Sequence, residues 1–326
     1  MKVCIFGVGA VGGCLAGRLS LGDASISVVA RGANLATIRD RGITVHAPRA
    51  RMQARVTASD DPAALGPQDA VIVCVKSPAL PAVARTIGPL LRPDTIVVFA
   101  MNGIPWWYFH RHGGPQDGRR LSRIDPGDAL WNAVGPERAL GGIVYCACDL
   151  IAPGVVHVET ARGRLILGEP DNTVSARAEA LAALMRAEDF SVEVSPDIRR
   201  AIWGKLQLNI VTGVFGCLTD SPPKDLHDDP AIAAGVHAVV AEVGAVARAL
   251  GFDTGFTADR LMAMVRGQSH KSSIVQDLAA ARPMEIDPMF VLPLDMARQA
   301  EVPTPTLDLL VALVCAKARG LGAYPR

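Results

Sequence analysis

The first nineteen residues constrain the fold more than any other part of the chain. Lys2-Val3-Cys4-Ile5-Phe6 is an apolar run of strand length, and it passes directly into Gly7-Val8-Gly9-Ala10-Val11-Gly12 and a helix-like stretch from Gly13 to Leu21. A G-x-G-x-x-G spacing that follows a strand and opens a helix is the signature of a dinucleotide-binding turn. Gly7 permits the turn, Gly9 lets backbone approach a pyrophosphate, and Gly12 lets the helix pack closely on the strand. Val8, Ala10 and Val11 complete the loop, and the helix N-terminus offers unpaired N–H groups and a partial positive charge to phosphate. A second strand-like run, Ser25 to Ala30, follows at the distance that this reading requires.

The end of that second run selects the dinucleotide. About 20 residues beyond the glycines, an NAD-binding chain places Asp or Glu to accept hydrogen bonds from the ribose hydroxyls. This chain has Arg31 followed by Gly32. A guanidinium is a permanently charged planar fork suited to a 2′-phosphate, so Arg31 predicts NADPH over NADH. The competing account is a solvated surface arginine.

At 326 residues, half of them hydrophobic, the chain exceeds one compact core and predicts two domains. A net charge of +1, from 33 basic and 32 acidic residues, lacks the basic excess of a nucleic-acid-binding protein. The seven cysteines form no C-x-x-C pair and no zinc-ligand quartet. They read as reduced thiols of a cytoplasmic protein. The first strand starts directly after Met1, which leaves no room for a signal peptide. The most apolar long stretch, Ala231 to Leu250, is interrupted by His237, Glu242 and Arg248 and reads as a buried or amphipathic helix, with no membrane partner.

Along the chain, residues 33–41 read as a helix, and 43–47 and 54–58 as strands. Ala70 to Val75 and Thr95 to Ala100 are continuous apolar runs of the kind buried on both faces of a parallel sheet. They end at Lys76-Ser77-Pro78 and Met101-Asn102-Gly103, where open α/β sheets bind ligands. Lys76 and Asn102 are therefore candidates to touch cofactor or substrate. Next come Trp106, Trp107, Tyr108 and Phe109, which wall a pocket or pack as core under the glycine-rich segment 110–128. His110 and His112 lack the partners of a metal site. Strands over 143–149, 155–159 and 165–167, a helix over 175–187 and a strand over 191–194 close the first domain, residues 1–195, at Ser195-Pro196-Asp197. Pro196 keeps its neighbour extended and Asp197 suits a helix N-cap.

From Ile198 the apolar period is helical, predicting an all-α domain over 196–326 with helices near 198–218, 230–250, 257–268, 272–281, 285–300 and 305–318. Lys205 and Asn209 lie four apart on an otherwise apolar face of the first helix. A lysine there meets a partner or a ligand, or snorkels to solvent, because an unpaired buried ammonium is costly.

Taken together, the glycine fingerprint with Arg31, Val75-Lys76, Asn102-Gly103, Ile202-Trp203-Gly204-Lys205-Leu206 with Asn209, and Ser272-Ser273-Ile274-Val275-Gln276-Asp277 followed by Glu285-Ile286-Asp287 resemble the ketopantoate reductase (2-dehydropantoate 2-reductase) family. The matches run in order through both domains. The resemblance implies a Rossmann-type NADPH domain, an all-helical domain and an active-site cleft between them, where a 2-oxo acid is reduced to a 2-hydroxy acid. It implies Lys205 as general acid, Glu285 near the catalytic end, Asn209 and Ser273 as substrate-binding residues, and Lys76 and Asn102 around nicotinamide and ketone. Read locally, Ser272-Ser273 is a helix cap and Glu285 a first-turn carboxylate.

Departures from the family pattern gather toward the substrate end. Gly213, Pro223 and Phe290 stand where asparagine is usual. The expected partner is a small 2-oxo acid, ketopantoate first, with a more apolar 2-oxo acid or a non-enzymatic NADPH sensor as alternatives. A homodimer stays open, because exposed and buried apolar faces look alike in sequence.

Overall fold

The computed structural model describes residues 1–226 and 228–325. Two compact units are present: Met1–Met101 with Pro105–Ile198, and Asn102–Ile104 with Arg199–Arg326. The change-over after Ile198 falls three residues beyond the break expected at Ser195, and the short Asn102–Ile104 turn joins the second unit.

The first unit comprises, in order, β1 (Lys2–Phe6), α1 (Ala10–Leu19), β2 (Ser25–Val29), α2 (Gly32–Arg41), β3 (Ile43–Ala47), β4 (Ala50–Ala54), β5 (Thr57–Ser59) and β6 (Ala70–Val73). It continues with α3 (Leu80–Thr86), β7 (Ile96–Ala100), α4 (Ala129–Val134), β8 (Ala139–Tyr145), β9 (Cys148–Ala152), β10 (Val155–Val158), β11 (Gly163–Gly168), α5 (Ala176–Met185) and β12 (Phe190–Val194). Eight strands form the main sheet in the order β12-β11-β8-β7-β6-β1-β2-β5. It is parallel from β8 to β5, while β11 runs antiparallel to β8 and carries β12 parallel to itself. The central strands β6 and β7 are buried at every residue, as their unbroken apolar runs require.

A smaller sheet, β4-β3-β10-β9, packs on the other side of α1. Glycine makes this possible. A Cβ at Gly13 would stand 2.6 Å from Val156, and one at Gly17 would stand 2.6 Å from Val45. Held between two sheets, α1 is buried from Gly12 to Leu19. The charged residue in that stretch, Arg18, is 3% exposed and is paired with Asp189, whose oxygens accept from its two terminal nitrogens at 2.7 and 3.2 Å, with the Phe190 ring 4.4 Å beneath.

Two expectations are corrected here, and the alternative left open for the aromatics is decided. The strand expected over 54–58 is two strands: β4 ends at Ala54, and β5 begins at Thr57. Charged Arg51 and polar Gln53 on the outer face of β4 disguised its alternation, in which Met52 and Ala54 point inward. The apolar run to Val75 overshoots β6, which ends at Val73. The four aromatics at 106–109 are core, each no more than 2% exposed, with Trp106 edge-on to Phe99 and Trp131.

The second unit is helical: α6 (Ile198–Thr219), α7 (Pro230–Ala249), α8 (Ala258–Val265), α9 (Ser273–Ala279), a π-helical turn at Asp287–Val291 running into α10 (Leu292–Gln299), and α11 (Pro305–Gly320). Asp229 caps α7 and Thr257 caps α8. By length and composition α6 and α7 could each cross a membrane, and 67% of the most apolar window of α6 is buried inside the protein. Polar residues on both helices are tied into this unit. Gln207 of α6 donates to the Val240 carbonyl at 3.3 Å and accepts from Thr254 at 2.6 Å. Glu242 of α7 accepts from Thr306 and Leu307 N–H at 3.0 and 2.8 Å, closing the start of α11.

Asp189→Asn tests the Arg18 pairing, because it leaves a buried guanidinium without its counter-charge. A stability loss of roughly 3–5 kcal/mol is expected in urea unfolding at neutral pH. The hydrogen bond from Arg18 holds the Asp189 carboxyl below its ordinary value of 3.8. A depressed native pKa stabilises the fold fully above the unfolded value, and that contribution disappears as pH falls through the native value. The difference between wild type and variant should therefore shrink below about pH 4.

Candidate active site

The turn after β1 is built by close approach. Gly7 has φ +97°, and a Cβ there would stand 2.5 Å from Val75 Cγ1. Gly12 faces the Gly7 carbonyl too closely for any Cβ to fit. Gly9 is the opposite case, with nothing within 4 Å of where its Cβ would lie. It occupies the N-cap position of α1 without a side-chain cap, and the first turn carries no acidic residue. The leading N–H groups of a helix have no acceptors within it. Open backbone, free donors and the absence of negative charge suit a pyrophosphate, so Gly7, Val8, Gly9, Ala10, Val11 and Gly12 fit a dinucleotide.

Topology puts that loop at the proper place. The chain leaves β1 for β2 on one side and returns to β6 on the other, and open α/β sheets bind ligands at such a reversal. The Gly7–Val75 contact ties the loop after β1 to the one after β6, where exposed Lys76 starts a short 3-10 turn. Arg31 follows β2 and is exposed at the N-cap position of α2.

One residue in this region escaped the sequence reading. Asn34 donates to the Val8 carbonyl at 2.5 Å and accepts from Gly154 N–H at 2.6 Å. It therefore braces the middle of the glycine loop against the turn between β9 and β10. No spacing rule singles out an asparagine in the first turn of α2. Its acceptor is a loop carbonyl and its donor lies 120 residues away.

The second unit holds the remaining candidates. Asn209 donates from its amide to Asn102 Oδ1 at 3.2 Å, which joins α6 to the turn after β7. Lys205 lies one helical turn earlier on α6 and, like Asn209, is half-buried. Ser273 is exposed as the first residue of α9. The capping account of the neighbouring serine is not realised: Ser272 occupies the N-cap position, makes no capping bond, and its buried Oγ has no hydrogen-bond partner. Glu285 is buried, just before the helical segment that starts at Ile286. Pro223 is buried at the start of a 3-10 turn. Gly213 packs directly beneath Phe290, whose ring carbons would lie 2.8 and 3.2 Å from a Cβ at that position.

The chain matches two family descriptions, ketopantoate reductase PanE/ApbA over residues 3–112 and ketopantoate reductase PanE/ApbA C terminal over residues 197–318. It is 38% identical to the 2-dehydropantoate 2-reductase of Mesorhizobium japonicum, covering 99% of this chain and 100% of that one. The chain belongs to the ketopantoate reductase family. Among solved structures, a Ralstonia solanacearum MolK2 protein superposes with a TM-score of 0.91 at 39% identity, covering 99% of both chains. A PanE/ApbA family ketopantoate reductase from Ralstonia eutropha JMP134 gives 0.81 at 28% identity, covering 98% of this chain and 99% of that one. The Rossmann-type unit and the all-α unit are thus the architecture of a reductase family.

All seven cysteines are free, and burial pushes Cys4 up to about 11 and Cys217 up to about 12, so both remain protonated at neutral pH.

If Asn34 braces the loop, Asn34→Ala should weaken dinucleotide binding by about tenfold, the equivalent of one lost hydrogen bond. Fluorescence titration with the reduced dinucleotide checks this, and an unchanged affinity would show that the loop holds its shape without the brace.

Proposed function

We propose that the protein reduces 2-dehydropantoate, a 2-oxo acid, to the 2-hydroxy acid pantoate, with NADPH as cofactor and Lys205 as general acid. The observation that carries this reading is the Lys205–Asn209–Asn102 arrangement: an amine and a bonded pair of amides, one helical turn apart, in a family of reductases. When bound, the reduced nicotinamide supplies the hydride that adds to C2 of the oxo acid. The ammonium of Lys205 donates a hydrogen bond to the ketone oxygen, stabilises the negative charge that builds there, and then passes its proton to it. The neutral amine regains a proton from solvent. Asn102 and Asn209 orient the ketone, Ser273 binds the substrate, and Glu285 supports the catalytic end. Arg31 meets the 2′-phosphate as a fixed planar charge, and Lys76 lies on the nicotinamide side.

A second reading, reduction of a more apolar 2-oxo acid by the same groups, is favoured by the Phe290 ring over Gly213.

Lys205→Ala should lower kcat by about 10²- to 10⁴-fold and leave NADPH affinity nearly intact. Joint loss of cofactor binding and thermal stability would instead mark Lys205 as structural. For the cofactor, Arg31→Asp replaces attraction to the 2′-phosphate by repulsion and should turn preference toward NADH or abolish binding. Equal NADPH affinity before and after the substitution would exclude Arg31 as the phosphate ligand.

A further inference from the structure

We propose that Cys14 and Cys146 are a disulfide-forming site for a peroxide, and that closing the bond weakens dinucleotide binding at the glycine loop. The second half rests on the reading of that loop as the dinucleotide segment. In sequence the seven cysteines show no motif, but the fold gathers four of them around the start of α1. Cys14 lies on α1 two residues beyond Gly12, and its Sγ stands 3.8 Å from that of Cys146, in the connection between β8 and β9. The Cys148 thiol is a hydrogen-bonding neighbour of Cys146, and Cys74, beside Val75, is close enough to feel charge on Cys14. Cys14 is buried, whereas Cys146 and Cys148 are half-buried and give a small oxidant its way in.

A permanent charge lies beside the pair. Arg18 sits one turn further along α1, where Asp189 takes its two terminal nitrogens and its buried Nε has no hydrogen-bond partner. The guanidinium is a hydrogen-bonding neighbour of the Cys14 thiol and favours the thiolate there. The bond with Cys14 lowers the Cys146 thiol, while the bond with Cys148 and burial raise it, to about 12 on balance. The bond with Cys146 and burial raise Cys14 further. Cys146 therefore ionises before Cys14 and, as the more exposed sulfur, meets the oxidant. Its thiolate attacks hydrogen peroxide: an S–O bond forms, the O–O bond breaks, and the departing hydroxide is protonated to water. Cys14, as a thiolate beside Arg18, then attacks the Cys146 sulfenic acid. The S–S bond forms, the S–O bond breaks, and the second hydroxide leaves with the Cys14 proton as water. Two thiols are oxidised to one disulfide, and one peroxide is reduced to two waters.

Bond formation shortens the sulfur separation from 3.8 Å to about 2.05 Å. On one side the backbone is held: Ala147 N–H donates to Thr160 Oγ1 at 2.7 Å, and its carbonyl accepts from Glu159 N–H at 2.9 Å. On the other, α1 is held further along, where a Cβ at Gly17 would stand 2.6 Å from Val45. The end of α1 with room to move is its first turn, since nothing lies within 4 Å of where a Gly9 Cβ would stand. Gly13, next to Cys14, donates its N–H to the Gly9 carbonyl at 2.9 Å. The adjustment therefore falls on the backbone that would face the pyrophosphate.

The full-length protein, reduced and then exposed to hydrogen peroxide, should lose two hydrogens and yield a non-reducing peptide map that links Cys14 to Cys146. Its NADPH affinity should fall by about fivefold or more, and dithiothreitol should restore it. In a glutathione buffer, saturating NADPH should shift the pair toward the dithiol by the same factor. Cys14→Ala and Cys146→Ser should each bind NADPH as the reduced wild type does and keep that affinity after peroxide. The second variant alters a half-buried residue and guards against a folding defect in the first. Absence of a cross-link, a cross-link to Cys148 or Cys74 in its place, or a Cys14–Cys146 disulfide with unchanged NADPH affinity would each overturn the proposal and leave the proposed reaction standing. A reduced protein that binds neither NADPH nor NADH would overturn the reading of the loop, and the coupling with it.

Discussion

The first unit depends on how closely α1 can approach two sheets at once. Helices normally present one apolar stripe to one layer, but α1 is covered on nearly all sides from Gly12 to Leu19. Side chains at 13 and 17 would hold the helix away from Val156 and Val45, and one at 12 would push it off the Gly7 carbonyl. The glycines that let α1 meet β1 also set its N-terminus directly after the strand. The open loop at that N-terminus is thus a consequence of packing, and the cost of so many helical glycines is offset by the burial that they permit. Arg18 belongs to the same arrangement. A charge within a helix enclosed on both sides must bring its counter-ion with it, and Asp189, from the turn before β12, supplies one from the far end of the unit's sequence.

The second unit solves its polar problem differently. Its long helices bury Gln207 between the Val240 carbonyl and the Thr254 hydroxyl, and hold Glu242 against backbone N–H groups that would otherwise lack a partner. Glu242 takes up two N–H groups at the start of α11, where Pro305 follows a residue with no side-chain capping bond. Asn209 differs in kind. Asn209 bonds to another amide, Asn102, rather than closing a helix end, and the two form a polar spot on an otherwise apolar face. Polar groups that satisfy no structural debt are the ones to examine for chemistry.

Much of this was legible in the chain. The strand, glycine turn and helix are local, and Gly7 and Gly12 have steric reasons of their own, so β1 and α1 could be read directly. The buried strands β6 and β7 announced themselves by unbroken apolar runs. What failed to show depends on partners distant in sequence. The strand β4 hides behind Arg51 and Gln53 because its inward residues are only Met52 and Ala54. Asn34 looks like any polar residue of a helix start until Val8 and Gly154 are brought to it. The aromatics at 106–109 could be read as a pocket wall or as core, and the choice was made by Phe99 and Trp131, which flank Trp106. The departures at Gly213 and Phe290 read in sequence as two separate losses. In space they are one exchange, a ring taking the volume that a side chain gave up.

That exchange is confined to one step of the α6 face. An α-helix rises about 1.5 Å per residue, so Lys205, Asn209 and Gly213 are spaced about 6 Å apart along α6. The helix is rigid over that distance, and the Asn102–Asn209 bond and the Ile104–Pro288 bond hold the surrounding turns to it. The polar positions on this face and the apolar one next along it are thus held in one frame by these backbone and amide bonds, one turn of helix apart.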